Sequence, residues 1–178
     1  MRSINIIIMI AALFGGWGCW GFEEQGYNGA WQAVVSPNLA INGFRPTTEA
    51  AHTGSGSLKL AVGSLTADTA FNFATNSPAT VDYRRISAWA MITSVPTDGV
   101  ARPGLVATDA SGRQWRGPTL TIRAADASKW RQLRLDLPAE AVLPVAVGVA
   151  VGAYSYDDAD YNGTLYVDDV QQWAATND

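Results

Sequence analysis

The stretch Gly163-Thr164-Leu165-Tyr166-Val167-Asp168-Asp169-Val170, close to the end of the chain, decides the fold. It is rich in β-branched and aromatic residues, which predicts a strand, yet two adjacent carboxylates interrupt it. Strict alternation places Leu165, Val167 and Asp169 on one face and Tyr166, Asp168 and Val170 on the other. One carboxylate must therefore lie among apolar neighbours, where it needs a compensating partner. That partner is either a hard cation such as calcium or a set of backbone amides at the edge of a sheet.

Length and composition limit the possible functions. The chain has 178 residues, of which 48% are hydrophobic and 16% are charged, so it can bury a real core. Its net charge is −4, and no basic run occurs anywhere in it. Because binding to a phosphate backbone needs a concentrated positive face, nucleic acid is not expected as a partner.

Residues 1–18 have the pattern of a signal peptide. Arg2 supplies the positive charge, and residues 4–14 form an apolar run that is short for a membrane span. Gly16 and Gly18 are small at the two positions that signal peptidase inspects. Cleavage before Cys19 predicts a mature chain of residues 19–178.

Cys19 is the only cysteine, so the protein has no internal disulfide. A lone cysteine directly after a signal sequence resembles the lipid-attachment cysteine of bacterial lipoproteins, although Gly16 stands where those signals usually carry Leu. The resemblance implies an exported protein that lipidated Cys19 tethers to the bacterial outer membrane or cell surface. Secretion without a lipid and an uncleaved anchor are the alternatives.

Short strands bounded by turn residues fill the rest of the chain. The longest, residues 81–93, carries apolar residues at even positions from Ile86 to Ile92, which predicts a core-facing side. Residues 145–152 alternate valine with alanine or glycine, so one face is flat and another group can pack closely on it. No stretch keeps a helical period for three turns. The pattern predicts one all-β domain, an antiparallel β-sandwich or jelly roll.

An ordered set of segments spans nearly all of the predicted mature chain. The set is Phe22-Glu23, Trp31, Ala51-His52-Thr53-Gly54-Ser55-Gly56-Ser57-Leu58-Lys59-Leu60, Ile86-Ser87-Ala88-Trp89-Ala90, Trp130 with Leu133-Arg134-Leu135-Asp136-Leu137, and Gly163 to Val170. In this order the segments resemble the β-sandwich carbohydrate-binding modules of the galactose-binding-like jelly-roll class. The resemblance implies non-catalytic binding of a glycan or polysaccharide, and it assigns His52 to the Gly-rich turn rather than to acid–base catalysis.

The resemblance also implies a structural Ca²⁺ that joins the two ends of the sandwich. The ligands would be Glu23, backbone carbonyls of the turn from Thr53 to Ser55, and the Asp168 carboxylate. Calcium takes six to eight oxygens and accepts such a mixed set. The alternative is that Glu23 and Asp168 bond backbone amides and no metal binds. Asp169 replaces Asp168 if the strand is bulged.

A sugar site needs exposed aromatic rings for stacking and polar side chains for the hydroxyl groups. We predict it on the outward face of the long strand and of the Leu-rich strand beside it, with Trp115 as a further platform and Tyr156 in the loop before the last strand. The predicted residues are Tyr83, Arg85, Trp89, Trp115, Gln132, Arg134 and Tyr156. For each aromatic, packing in the core is the competing interpretation.

Two other functions compete with sugar binding. A structural or adhesive surface lipoprotein keeps the same fold and binds no sugar. A jelly-roll glycosidase or lyase needs two carboxylates across a cleft, and the four glutamates of the chain do not supply a convincing pair. We therefore expect no catalytic residues and no enzyme activity.

Overall fold

Alternating apolar residues and frequent turns produce two antiparallel sheets. The structure, a computed structural model, describes residues 18–20, 31–34, 40–65, 70–76, 83–95, 97, 99–143, 145–155 and 161–174. The predicted all-β antiparallel sandwich is confirmed in this part of the chain.

Each sheet combines strands from both halves of the sequence. The six-stranded sheet contains β1 (Gly18–Trp20), β3 (Ala40–Thr47), β4 (Ser57–Leu65), β6 (Tyr83–Ile92), β9 (Arg131–Asp136) and β11 (Tyr161–Ala174). The five-stranded sheet contains β2 (Trp31–Val34), β5 (Ala70–Asn76), β7 (Gly99–Asp109), β8 (Gln114–Arg116) and β10 (Val145–Ser155).

Strand β11 lies near the centre of the first sheet. The order is β3-β4-β11-β6-β9, and β1 also pairs with β11. The second sheet has the order β2-β5-β10-β7-β8, and β10 pairs with β7 without a register shift from Val145↔Asp109 to Ser155↔Gly99. Beyond β8 the chain continues along β7, because Ile122 and Ala101 exchange backbone hydrogen bonds.

The core lies between the two sheets and confirms the predicted alternation of β6 and β9. Ile86, Ala88, Ala90 and Ile92 are at most 1% exposed, and Leu133, Leu135 and Leu137 join them. The five-stranded sheet contributes Ala101, Leu105 and Ala107 from β7. Apolar residues of both sheets therefore form one cluster.

Strict alternation is wrong at one point of β11. Leu165, Val167 and Val170 all belong to the core cluster, whereas alternation had put Val170 on the opposite face from the other two. The register against β6 shifts between Asp168 and Gln171, and Asp169 has φ 46°. This β-bulge inserts one residue into β11. Each residue after the bulge therefore faces the side of the sheet opposite to the one that strict alternation predicts.

Helical structure is minor in the described residues. A 3-10 helix covers Ala124–Asp126, and residues 110–112 form the hairpin turn between β7 and β8, with Gly112 at φ 84°. Among the described residues, no helix has the length and apolar character that crossing a membrane requires.

Candidate functional site

The Gly-rich turn between β3 and β4 bonds to the Asp168 carboxylate. The backbone N–H groups of His52 and Thr53 donate to Oδ2 at 2.8 and 3.2 Å. The backbone N–H of Asp169 donates to Oδ1 at 2.8 Å. Asp168 is fully buried, so these amides supply the compensation that a buried carboxylate requires.

Asp169 holds the side chains of the same turn. His52 Nδ1 lies 2.7 Å from Asp169 Oδ2, and the Thr53 hydroxyl donates to Oδ1 at 2.7 Å. The bulge makes this possible, because it lets two consecutive carboxylates face one loop. We name the group of His52, Thr53, Asp168 and Asp169 the turn clasp.

The turn clasp also covers the outer face of the six-stranded sheet. The His52 ring stacks on Trp89 with centroids 3.9 Å apart and planes 14° apart, and it meets Trp130 edge-on at 5.7 Å. His52 lies in the Gly-rich turn, where the resemblance had placed it. One side of the Trp89 indole is therefore occupied by the protein itself.

In the described residues, backbone amides of the Gly-rich turn and of Asp169 bond the Asp168 carboxylate. Burial raises the pKa of the Asp168 carboxyl, and the amides of His52, Asp169 and Thr53 oppose that rise. Three N–H donors already occupy most of its lone pairs, and the described part of the chain contains no group of three or more His, Cys, Asp or Glu suited to a metal. The predicted ligand Glu23 lies outside the described residues. Calcium, with Thr53 and Ser55 as carbonyl ligands, stays a prediction.

The predicted sugar face is assembled in part. Cross-strand pairing places Trp89 beside Gln132 and Arg85 beside Asp136, and it aligns Arg134 with Ser87. Arg85, Gln132 and Arg134 are exposed. The residues predicted on β6 and β9 thus share one face of the six-stranded sheet.

This face satisfies most of its own polar groups. Arg85 Nε and Arg134 Nε donate to opposite oxygens of Asp136 at 2.8 and 2.9 Å. Partial burial disfavours ionisation of Asp136, yet the hydrogen bonds from Arg85 and Arg134 lower its pKa. At the other end of the sheet, Lys59 forms an ion pair with Glu49, and Tyr166 donates to the same carboxylate.

Trp115 belongs to the other sheet and has a structural environment. It pairs with Ala107, and its indole N–H donates to Asp109 Oδ2 at 2.9 Å. The Arg113 guanidinium lies 4.0 Å from the ring centroid. Packing, the competing interpretation of this residue, describes these contacts better than an open platform does.

Asp109 organises the hairpin that carries Trp115. Its Oδ1 accepts from the backbone and hydroxyl of Ser111 and from the backbone of Arg113, while Oδ2 also accepts from the Val142 amide. The bond from the Ser111 hydroxyl contributes most to lowering the pKa of Asp109, and burial opposes it. Asp109 is only 5% exposed, so it is a buried anion held by donors.

The remaining predicted residues lie near the ends of described segments or outside them. Tyr83 is the first residue of β6, and its backbone pairs with Ala174. Cys19 lies in β1 opposite Gln171 of β11. Tyr156 and residues 1–17 of the predicted signal peptide lie outside the described residues.

The residues predicted for the sugar site did not include the polar residues on the outer face of the five-stranded sheet. On the outer face of the five-stranded sheet, Arg102 and Gln114 are exposed, Thr108 is half-buried and Arg116 is exposed. The register places Gly148 beside Val106 and Ala150 beside Gly104. The sequence did carry a signal for this surface. The alternation of valine with alanine or glycine in β10 predicted a flat face, but it did not identify the polar residues around that face.

Comparison with known proteins gives the fold. Neither a protein-family model nor a curated protein sequence matches the chain. A solved structure described in work on the promiscuous specificity of carbohydrate-binding modules from the β-sandwich superfamily matches with a TM-score of 0.67 at 18% identity. The match covers 89% of this chain and 63% of that one, so the chain spans less than two thirds of its length.

Two further structures match over their full length. A carbohydrate-binding module described for specific mannan recognition has a TM-score of 0.60 at 15% identity, covering 91% of this chain and 100% of its own. The K1 cleaved adhesin domain of Lys-gingipain from Porphyromonas gingivalis W83 has a TM-score of 0.59 at 17% identity, with coverages of 91% and 100%. The chain therefore has the fold of the β-sandwich carbohydrate-binding modules, as its ordered motifs predicted.

Proposed function

We propose that the protein is a non-catalytic carbohydrate-binding protein and that its sugar site is the outer face of the five-stranded sheet. The observation that carries the proposal is the combination of this fold with an outer face that keeps polar side chains for a ligand. The matched structures include modules described as binding mannan and xylan. Their descriptions name carbohydrate binding and adhesion, and this supports a binding protein over an enzyme.

The choice of surface follows from how each sheet uses its side chains. On the six-stranded sheet, the turn clasp covers one side of Trp89, and Asp136 engages both arginines of the predicted site. On the five-stranded sheet, Gln114 and Arg116 pair with β7 through their backbones, while their side chains are exposed and form no hydrogen bond or ion pair with other described residues. Sugar hydroxyls need donors and acceptors that the protein has not already used, so the second surface is the better site.

A pair of matched variants tests this choice. Binding to a panel of insoluble and soluble polysaccharides, including mannan and xylan, is measured by pull-down and calorimetry. We expect Gln114→Ala with Arg116→Ala to weaken binding by about tenfold or more, since each lost hydrogen bond to a ligand costs on the order of 1 kcal/mol. The control, Gln132→Ala with Arg134→Ala on the other sheet, should bind like the wild type. Loss of binding in the control alone would return the site to the surface predicted from the sequence.

A structural or adhesive role is the second candidate, and the likeness to an adhesin domain favours it specifically. This role requires no sugar. If the folded wild-type protein binds no polysaccharide of the panel, the adhesive role replaces sugar binding. Release of reducing sugar from any polysaccharide would contradict both and indicate an enzyme.

We also propose that the protein acts outside the cytoplasm, tethered through Cys19. The support is the signal-like composition of residues 1–18 and the position of Cys19 directly after it. In a bacterial host, Cys19→Ser should move the protein from the membrane fraction to the soluble exported fraction. Mass spectrometry of the wild type should find acyl chains on Cys19, and an unmodified thiol would contradict the tether.

A further inference from the structure

We infer that the glycan is acidic, and that an arginine strip at the edge of the five-stranded sheet binds its carboxylates. The inference rests on the proposed function and names the class of ligand. We define the arginine strip as Arg113, Arg116 and Arg123. All three side chains are exposed.

The strip runs along one edge of the sandwich. The edge strand β8 pairs with β7, and the chain then follows β7 through the hydrogen bonds Gly117 N–H to Leu105 and Leu120 N–H to Pro103. The ten residue steps from Arg113 to Arg123 extend roughly 30 Å at the rise of a strand. This length suits an extended polymer rather than a single small ion.

The charge of this edge differs from that of the whole chain. The chain has 12 Lys and Arg against 16 Asp and Glu, whereas residues 99–123 contain four arginines and one aspartate. That aspartate, Asp109, is 5% exposed, and hydrogen bonds from Ser111, Arg113, Trp115 and Val142 occupy its two oxygens. Asp109 therefore forms no ion pair with the exposed arginines of this described segment, and its single negative charge offsets only one of their positive charges.

The arginines of the strip also differ from the other surface cations in their partners. Lys59, Arg85, Lys129, Arg131 and Arg134 all form ion pairs with carboxylates. Within the described residues, Arg113, Arg116 and Arg123 form none. The Arg113 guanidinium lies over the Trp115 ring, a contact that uses no N–H donor and so leaves its N–H groups for a ligand.

The sheet face beside Arg116 carries no opposing charge. The register places Val106 and then Gly148 in the row that begins at Arg116, and it pairs Ala74 with Gln32 farther across the sheet. None of the residues that this register places on the outer face of the described five-stranded sheet is Asp or Glu. A guanidinium matches a carboxylate with two parallel hydrogen bonds, so a polysaccharide of uronic acids fits this face.

Esterification of the ligand provides the sharpest test. The full chain is titrated with polygalacturonate and with the same polymer fully methyl-esterified, which keeps the sugar and removes the charge. Alginate, glucuronoxylan, neutral mannan and dextran sulfate complete the panel. We expect at least one uronate polymer to bind about tenfold tighter than the neutral polymers and than the methyl ester, with affinity falling as salt is added.

Charge-matched variants locate the site. Arg116→Gln should weaken uronate binding by about tenfold and leave the weak binding of the methyl ester unchanged. Arg116→Lys should recover only part of the affinity, because lysine keeps the charge without the planar fork. The control Arg134→Gln removes the same charge from the other sheet and should bind uronate like the wild type. Unchanged melting of each variant shows that folding is intact.

The contrary outcomes are separable. Equal affinity for polygalacturonate and its methyl ester, or tighter binding of neutral mannan, overturns the acidic ligand and leaves the proposed function standing. An equal loss in Arg116→Gln and Arg134→Gln overturns the arginine strip, because net charge alone would explain it. Tighter binding of dextran sulfate than of every uronate overturns the carboxylate assignment. Binding to none of the polysaccharides overturns both proposals.

Discussion

Asp109 ties a surface turn to the interior through both of its carboxylate oxygens. Its donors come from the turn, from Trp115 of β8 and from Val142 beyond β9. A carboxylate that accepts several hydrogen bonds stabilises the fold only while it is ionised. The stability of the hairpin therefore depends on pH through the ionisation of Asp109.

We expect Asp109→Asn to lower the melting temperature at pH 7 by several degrees, because an amide nitrogen would face N–H donors. The lowered pKa of Asp109, due first to the Ser111 hydroxyl, means that the folded state binds its proton less readily than the unfolded chain. Its contribution is complete above pH of about 4 and is lost as the pH falls further. The difference between wild type and variant, followed by circular dichroism, should shrink from pH 5 to pH 2.

A control for this effect is Glu140→Gln, which removes an exposed carboxylate from a nearby loop. It should melt like the wild type at pH 7. A difference between wild type and Asp109→Asn that stays constant down to pH 2 would show that the Asp109 charge has no part in the stability of the hairpin.

Gly117 marks the place where the edges of the two sheets meet. A Cβ atom added there would overlap the carbonyl oxygen of Arg134 and contact Leu135. Because the obstacle is backbone, it cannot move aside as a side chain would. We expect Gly117→Ala to lower the free energy of unfolding by about 1–3 kcal/mol in denaturant titrations.

The matched glycine is Gly112 in the same hairpin. It has φ 84°, and a Cβ atom there would meet nothing within 4 Å. Asparagine tolerates this backbone region, so Gly112→Asn should change the stability by less than about 0.5 kcal/mol. If Gly117→Ala lowered the free energy of unfolding no more than Gly112→Asn does, the two sheet edges would have to move apart at Gly117 at little cost.

At the scale of elements, the bulge in β11 determines what the strand can do. The sequence correctly predicted that a carboxylate of this strand lies among apolar residues and needs partners. It could not predict the bulge, because the bonds that the Asp169 carboxylate forms at this positive φ come from His52 and Thr53, more than 100 positions away. Local alternation carries no information on such distant contacts.

We expect Asp168→Ala to lower the free energy of unfolding by roughly 1–3 kcal/mol, because the part-buried amides of His52 and Thr53 lose their acceptor. The loss should be the same with and without a chelator, since the described contacts involve only N–H donors. Asp136→Ala, which removes an exposed ion-pair partner, should cost less than about 1 kcal/mol. A wild-type protein that chelation destabilises, beside an unresponsive Asp168→Ala, would instead establish the predicted calcium site.

The whole molecule was predictable in its architecture and less so in its surfaces. Apolar alternation is a local property, and for this reason the core faces of β6 and β9 could be predicted from Ile86 to Leu135. Which outer face stays available to a ligand depends on where the turn after β3 folds. That turn places His52 on Trp89, a contact between distant segments that spacing along the chain does not reveal.

One shared core implies that the two sheets unfold together. Leu105 of the five-stranded sheet and Leu165 of the six-stranded sheet are each 1% exposed and belong to the same cluster. We expect Leu105→Ala and Leu165→Ala each to lower the free energy of unfolding by about 2–5 kcal/mol, while Val142→Ala, at a side chain 49% exposed, changes it little. Because neither sheet can bury its inner face alone, tryptophan fluorescence and far-UV circular dichroism should report one coincident transition in every variant. Two separate transitions would mean that each sheet is stable without the other, and they would contradict the inference that the two sheets depend on one shared core.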